Sequence, residues 1–153
     1  MQVEIVEGYD RLDDVRALFR EYERSLDVNL CFQRFEEELQ GLPGRYARPD
    51  GRLYLALAGG QPAGCAAFRR LNEGRCEMKR LYVRPQFRAL GLGRALAERL
   101  VQDAIASNFR VMVLDTLSTM SGAQALYERL GFTDIPPYYE NPLPGARYMG
   151  LKL

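Results

Sequence analysis

Two periods of apolar residues run along this chain and divide it into helices and strands. From Asp10 to about Leu26 the apolar positions Val15, Leu18, Phe19 and Tyr22 recur at helical spacing. A second helix is predicted from Phe32 to Leu39, ended by Gly41-Leu42-Pro43-Gly44. Leu92, Leu96, Leu100 and Ala104 step by four, with Ala97, Val101 and Ile105 beside them, which predicts a long helix with one broad buried face. A further helix from about Ser121 to Leu130 has Gly131 just past its end as a C-cap. Strands are predicted at Val3 to Val6, Leu53 to Ala58 and Pro62 to Arg70, the last two flanking Gly59-Gly60, a hairpin signal. Asn72-Glu73-Gly74 then turns the chain into a longer strand from about Arg75 to Val83. Val111 to Leu114 reads as a strand covered on both sides, and Arg147 to Leu153 as a last strand. The resulting order is β-α-α-β-β-β-α-β-α-β-β, an α/β protein with a mixed sheet, read as one domain over residues 1–153 without internal repeats.

Composition excludes several classes of function. A formal net charge of +1 leaves no broad basic field for nucleic acid or an anionic membrane. No apolar run reaches the length needed to cross a bilayer, and the acidic start Met1 to Glu7 is unlike a secretory signal, so a cytosolic setting is expected. Cys31, Cys65 and Cys76 are odd in number and lack metal-ligand spacing, so neither a disulfide framework nor a metal is expected. Histidine is absent, which removes Ser-His and Cys-His nucleophilic catalysis and histidine-ligated zinc.

The chemistry concentrates at Arg88-Ala89-Leu90-Gly91-Leu92-Gly93-Arg94, between the strand ending Leu81-Tyr82-Val83 and the long helix. Glycines there let the backbone approach a ligand, and the first helix amides have no intrahelical partner, so the turn suits phosphate groups. Arg88 and Arg94 add charge at its rim. An ATPase-type P-loop needs Lys-Ser/Thr where Arg94-Ala95 stand, and the dinucleotide fingerprint needs a small residue where Leu96 stands.

What remains, R-x-x-G-x-G after Leu-Tyr-Val, resembles the coenzyme A pyrophosphate loop of the GNAT superfamily of N-acetyltransferases. Ala123-Gln124-Ala125-Leu126-Tyr127-Glu128-Arg129-Leu130-Gly131-Phe132 is similar to that superfamily's A-x-x-L-Y-x-x-x-G-F segment. The resemblance covers nearly the whole chain and implies the acyl-CoA N-acyltransferase fold, with the fourth and fifth strands splayed around the pantetheine arm. It implies acetyl-CoA as cosubstrate, bound by Leu81, Tyr82, Val83, the Arg88–Arg94 loop and Ser121. It also implies an amine of a small molecule or exposed peptide attacking the thioester, and it allows a homodimer.

Under the resemblance Tyr127 is the acid toward the leaving thiolate, although Ala123, Leu126, Tyr127 and Leu130 equally form a core stripe. Glu77 stands where several members carry a catalytic glutamate, or is a strand carboxylate beside Lys79, leaving water as the base. Met120 stands where many members have asparagine, so that contact is lost or moved to Ser118, Thr119 or Ser121; Ser121 also suits a helix N-cap. By analogy the acceptor pocket draws on Tyr22, Leu30, Cys31 and Phe32, and on Tyr138, Tyr139, Asn141 and Arg147, with Arg147 suited to a carboxylate. The proline-rich loop before the last strand resembles that of bacterial members. A noncatalytic acyl-CoA sensor is the alternative function; Glu77 and Tyr127 favour the enzyme.

Overall fold

The computed structural model describes residues 1–30 and 33–153. Seven strands form one sheet in the order β1-β2-β3-β4-β5-β7-β6. They are β1 (Val3–Glu7), β2 (Arg52–Ala58), β3 (Gln61–Arg70), β4 (Arg75–Val83), β5 (Val111–Leu117), β6 (Thr133–Asp134) and β7 (Ala146–Lys152). Every adjacent pair is antiparallel except β4 and β5. Helices α1 (Leu12–Ser25) and α2 (Phe35–Gln40) cover one face, and α3 (Leu92–Ala106) and α4 (Ser121–Arg129) the other.

Strand β2 shows why a continuous apolar run was needed. Its side chains alternate between two cores: Leu53 and Leu55 pack with Val15, Leu18 and Phe19 of α1, while Tyr54 and Ala56 pack with Leu96 and Leu100 of α3. At the β2–β3 turn Gly59 and Gly60 adopt φ of 57° and 80°, the left-handed pair that a two-residue hairpin requires.

Helix α2 begins at Phe35, and Phe32, its predicted start, lies outside the described residues. Strand β5 runs three residues past Leu114, because its far edge is paired with β7 as far as Leu117↔Ala146. Ser121 is the first residue of α4 and not its cap; Met120 holds the cap position without a side-chain hydrogen bond.

Two irregularities prepare the site. The parallel ladder between β4 and β5 contains only Arg75↔Val111, Cys76↔Met112 and Glu77↔Val113, after which the strands part. In the same stretch β4 slips against β3 between Cys65 and Ala67, with Arg80 at φ 64°. The extra residue breaks the pleat, so Lys79 and Arg80 both face the α1/α2 side, while Leu81 returns to the α3/α4 core. A non-glycine residue held at positive φ stores strain of about 1–3 kcal/mol. Here it is clamped by a bidentate Arg80–Glu38 pair at 2.9 Å and by the Phe35 ring, 5.1 Å from the Arg80 guanidinium.

Candidate active site

The parting of β4 and β5 leaves an opening lined by Met78, Lys79, Arg80 and Leu81 on one side and Asp115, Thr116 and Leu117 on the other. Met120 and Tyr127 close it from α4, and Tyr22, Leu26 and Leu30 from α1 and the segment that follows. From Met78 onward the β5-facing edge of β4 has no strand partner, which leaves main-chain groups that an extended ligand can pair with.

Just beyond the opening a short 3-10 turn, Pro85–Leu90, leads into α3 through Gly91 at φ 73°. That conformation suits glycine, and Ala89 carries no positive φ. The first helical bond of α3 is from the Ala95 amide to the Gly91 carbonyl, and no side chain caps the end. The amides of Leu92, Gly93 and Arg94 therefore point out without intrahelical acceptors, as phosphate oxygens require. Arg88 donates to the Val83 carbonyl at 3.1 Å, and Arg94 lies along the helix in an exposed pair with Glu98. Such a pair is weak enough to be exchanged for a phosphate.

Tyr127 is 5% exposed and lies against Phe132 in the α3/α4 core, so the stripe reading was correct as far as packing goes. Its hydroxyl, however, has no hydrogen-bond partner among the described residues, and the residue lines the opening. Burial, with Tyr22 and Asp115 nearby, pushes its pKa up. The group stays protonated at physiological pH and is a hydrogen-bond donor in waiting.

Glu77 sits at the last bonded step of the parallel ladder, on the opposite face from Tyr127. Arg69 holds its Oε1 at 2.9 Å and the Tyr138 hydroxyl donates to its Oε2 at 2.5 Å. Burial alone would raise its pKa, but Lys79, Arg69 and the Tyr138 hydrogen bond together hold it below the usual carboxylate value. Both oxygens are engaged, and Glu77 lines an outer cleft with Arg75, Tyr138 and Tyr139, not the opening itself.

Of the residues expected on the acceptor side, Tyr22, Leu30 and Asn141 line the opening, and Tyr138 and Tyr139 line the outer cleft. The Tyr139 hydroxyl donates to Asp115 Oδ2, Gln33 Nε2 donates to that hydroxyl at 3.2 Å, and Asn141 Nδ2 reaches the same Asp115 oxygen at 2.8 Å. Tyr148 ties the loop down through the Tyr139 carbonyl at 2.8 Å and the Asn141 amide at 3.0 Å. Tyr22 lines the opening, edge-on to Tyr82, whose ring faces α1 and leaves only its main chain toward the cofactor side. Cys31 and Phe32 lie outside the described residues.

Arg147 is not brought into this group. Strand parity puts it on the face opposite Tyr148, where it pairs with Asp134 at 2.6 Å and Glu128 at 2.9 Å and is not available to an acceptor carboxylate. Ser121 is exposed and does not line the opening, whereas Met120 does, with the Thr116 hydroxyl donating to its sulfur at 3.7 Å.

Two residues escaped the sequence reading. Lys79, 8% exposed, donates to Gln33 Oε1 at 3.2 Å, and desolvation together with Arg80 lowers its pKa from 10.5 to about 8. Asp115 faces it from β5. The available signals were an aspartate at the end of an apolar run in β5 and a lysine in a chain rich in arginine, but only the strand register shows that the two face one another.

A mixed sheet opened between its two parallel strands, with a glycine-led helix start beside the gap and a protonated tyrosine in it, defines an acyl-CoA-dependent acyltransferase. The chain belongs to the acetyltransferase (GNAT) family, whose model matches residues 12–132. It is 34% identical to an uncharacterised N-acetyltransferase of Dictyostelium discoideum over 93% of this chain and 94% of that one. It is 40% identical to one of Schizosaccharomyces pombe over 93% of this chain and 88% of that one. The likeness therefore extends to eukaryotic proteins. The PaiA N-acetyltransferase of Thermoplasma acidophilum in complex with coenzyme A shares the fold, with a TM-score of 0.76 and 16% identity over 100% of both chains. The chain is an N-acetyltransferase of this family.

Proposed function

We propose that this enzyme transfers the acetyl group to a primary amine by direct attack of the amine on the thioester, without an acetylated enzyme intermediate. The observation that carries this reading is the single opening shared by Tyr127 and the acceptor-side residues Lys79 and Asp115. A donor entering from the α3 side and an amine entering from the α1/α2 side meet there. No histidine exists in the chain to serve as a nucleophile or base. The described cysteines, Cys65 and Cys76, are buried, and desolvation raises both thiols, to about 12 for Cys76. Such thiols are poor acyl carriers.

Acetyl-CoA supplies the activated acetyl group. The unpaired edge of β4 holds the extended arm, and the Leu92–Arg94 amides with Arg88 and Arg94 hold the pyrophosphate. Tyr127 offers its hydrogen to the sulfur that leaves. With a pKa above that of an alkyl thiol, it acts by hydrogen bonding more than by full proton transfer. Glu77, sealed by Arg69 and Tyr138, is a positioning residue for the acceptor loop.

The test is thiol release from acetyl-CoA across a panel of amino acids, polyamines, arylalkylamines and short peptides, with the product weighed by mass spectrometry. Intersecting initial-rate lines and an unmodified enzyme mass after incubation with acetyl-CoA alone are expected. Parallel lines with an acetylated enzyme would overturn direct attack.

A further inference from the structure

Lys79 and Asp115 stand at the same register on either side of the opening. The last bonded step of the parallel ladder is Glu77↔Val113, and each of the two residues lies two positions further along its strand. In a closed parallel ladder they would be neighbours roughly 5 Å apart and would pair. The splay holds them apart, and among the described residues neither has an oppositely charged partner within ion-pair distance. Neighbouring charges do not fill the gap, because Glu77 is closed by Arg69 and Glu38 by Arg80.

Each of the two has bonding capacity left over. The Lys79 ammonium carries three donors and spends one on Gln33. Asp115 Oδ2 accepts from both Tyr139 and Asn141, while Oδ1 accepts from none of the described residues. With a pKa of about 8, Lys79 remains mostly protonated at pH 7. Lysine is rare here: the chain has two against nineteen arginines, and this is the buried one.

We propose that the acceptor is a free amino acid held as a zwitterion across the opening, its carboxylate on Lys79 Nζ and its ammonium on Asp115 Oδ1. The proposal rests on the acetyl-transfer reading and names its substrate class. One buried cation and one half-buried anion, facing each other without an ion pair between them, are complementary to a small molecule carrying the opposite pair. In the reaction the nitrogen forms a bond to the acetyl carbon as the carbon–sulfur bond breaks. The ammonium gives up two protons: one by way of Asp115 to solvent, and one matched by coenzyme A leaving as the thiol. The amide product carries no positive charge, so it loses its hold on Asp115 and is released.

The experiment compares free amino acids with their methyl esters, amides and decarboxylated amines as acceptors for wild type, Lys79→Met and Asp115→Asn, with coenzyme A affinity measured by calorimetry as a check on folding. Wild type is expected to favour the free acids by about 100-fold in kcat/KM, because the other acceptors leave the buried Lys79 ammonium without a partner. Lys79→Met is expected to lose that preference mainly through KM, with coenzyme A binding unchanged. Calorimetric titration of the same amino acids into the wild-type coenzyme A complex is expected to show binding that Asp115→Asn abolishes. Esters or amides used as well as acids, or an unaltered preference in Lys79→Met, would overturn the amino-acid proposal while leaving acetyl transfer standing. No turnover on any amine despite coenzyme A binding would overturn acetyl transfer and this proposal with it.

Discussion

The Tyr138 hydroxyl donates a 2.5 Å hydrogen bond to Glu77 across 61 residues of sequence, fastening the proline-rich loop to the end of the closed parallel ladder. Two consequences follow: the loop is anchored at the acceptor cleft, and the Glu77 carboxylate is engaged on both oxygens.

Glu77→Gln keeps an acceptor for Tyr138 and is expected to lower kcat less than about tenfold, whereas loss of a general base costs roughly 10²–10⁴-fold. Because the folded carboxylate titrates below its ordinary value, its contribution to stability is present at neutral pH and is lost as pH falls through the folded pKa. Urea unfolding should find the variant less stable than wild type at pH 7, with the difference closing in acid. A loss of rate beyond 10²-fold would return Glu77 to the base role.

Tyr127→Phe removes the hydroxyl and leaves the ring packed against Phe132. Turnover is expected to fall about 10–100-fold, with coenzyme A affinity within about twofold of wild type. Equal turnover would remove Tyr127 from the chemistry.

Arg88→Glu and Arg94→Glu place negative charge beside the open amides of α3. Each is expected to weaken coenzyme A binding by about tenfold at low salt, less at high salt, with little change in thermal stability because both side chains are exposed. Calorimetry at two ionic strengths checks this.

Lys79 has the same slope with pH from the opposite cause, because here it is the charged form that folding disfavours. Its folded pKa of about 8 lies below the ordinary 10.5, so folding disfavours the charged form and wild type gains stability as pH rises from about 8 to 10.5. The difference corresponds to roughly 3 kcal/mol. Lys79→Met is therefore expected to be the more stable protein at pH 7, with its advantage shrinking across that window in parallel denaturation curves.

Glu38→Gln leaves the Arg80 guanidinium buried without its counter-charge. A loss of about 3 kcal/mol is expected by urea unfolding, and the joint change to Glu38→Leu with Arg80→Met should cost less than the single one.

Most elements were legible because their signals are local. The Gly59-Gly60 turn, the four-residue step of α3 and the run of β2 each report a backbone geometry or a burial pattern within a few residues. The glycine loop and Tyr127 were legible for the same reason, since both lie in contiguous motifs. Arg147 misled because its chemistry suits a carboxylate, yet side-chain parity in β7 turns it toward Asp134 and Glu128. The slip at Arg80 was illegible because nothing in Lys79-Arg80-Leu81 marks a bulge until β3 is laid beside it.

By itself the sequence determined the order of elements, the glycine turn at Gly91 and the tyrosine of α4, because each is set by residues close together in the chain. Only the tertiary structure decided where the sheet opens, that Glu77 is closed by Arg69 and Tyr138, and that Lys79 and Asp115 face each other with no ion pair between them. Those are relations between distant segments. They depend on strand register and a one-residue slip, and a shift of one residue turns every side chain to the other face.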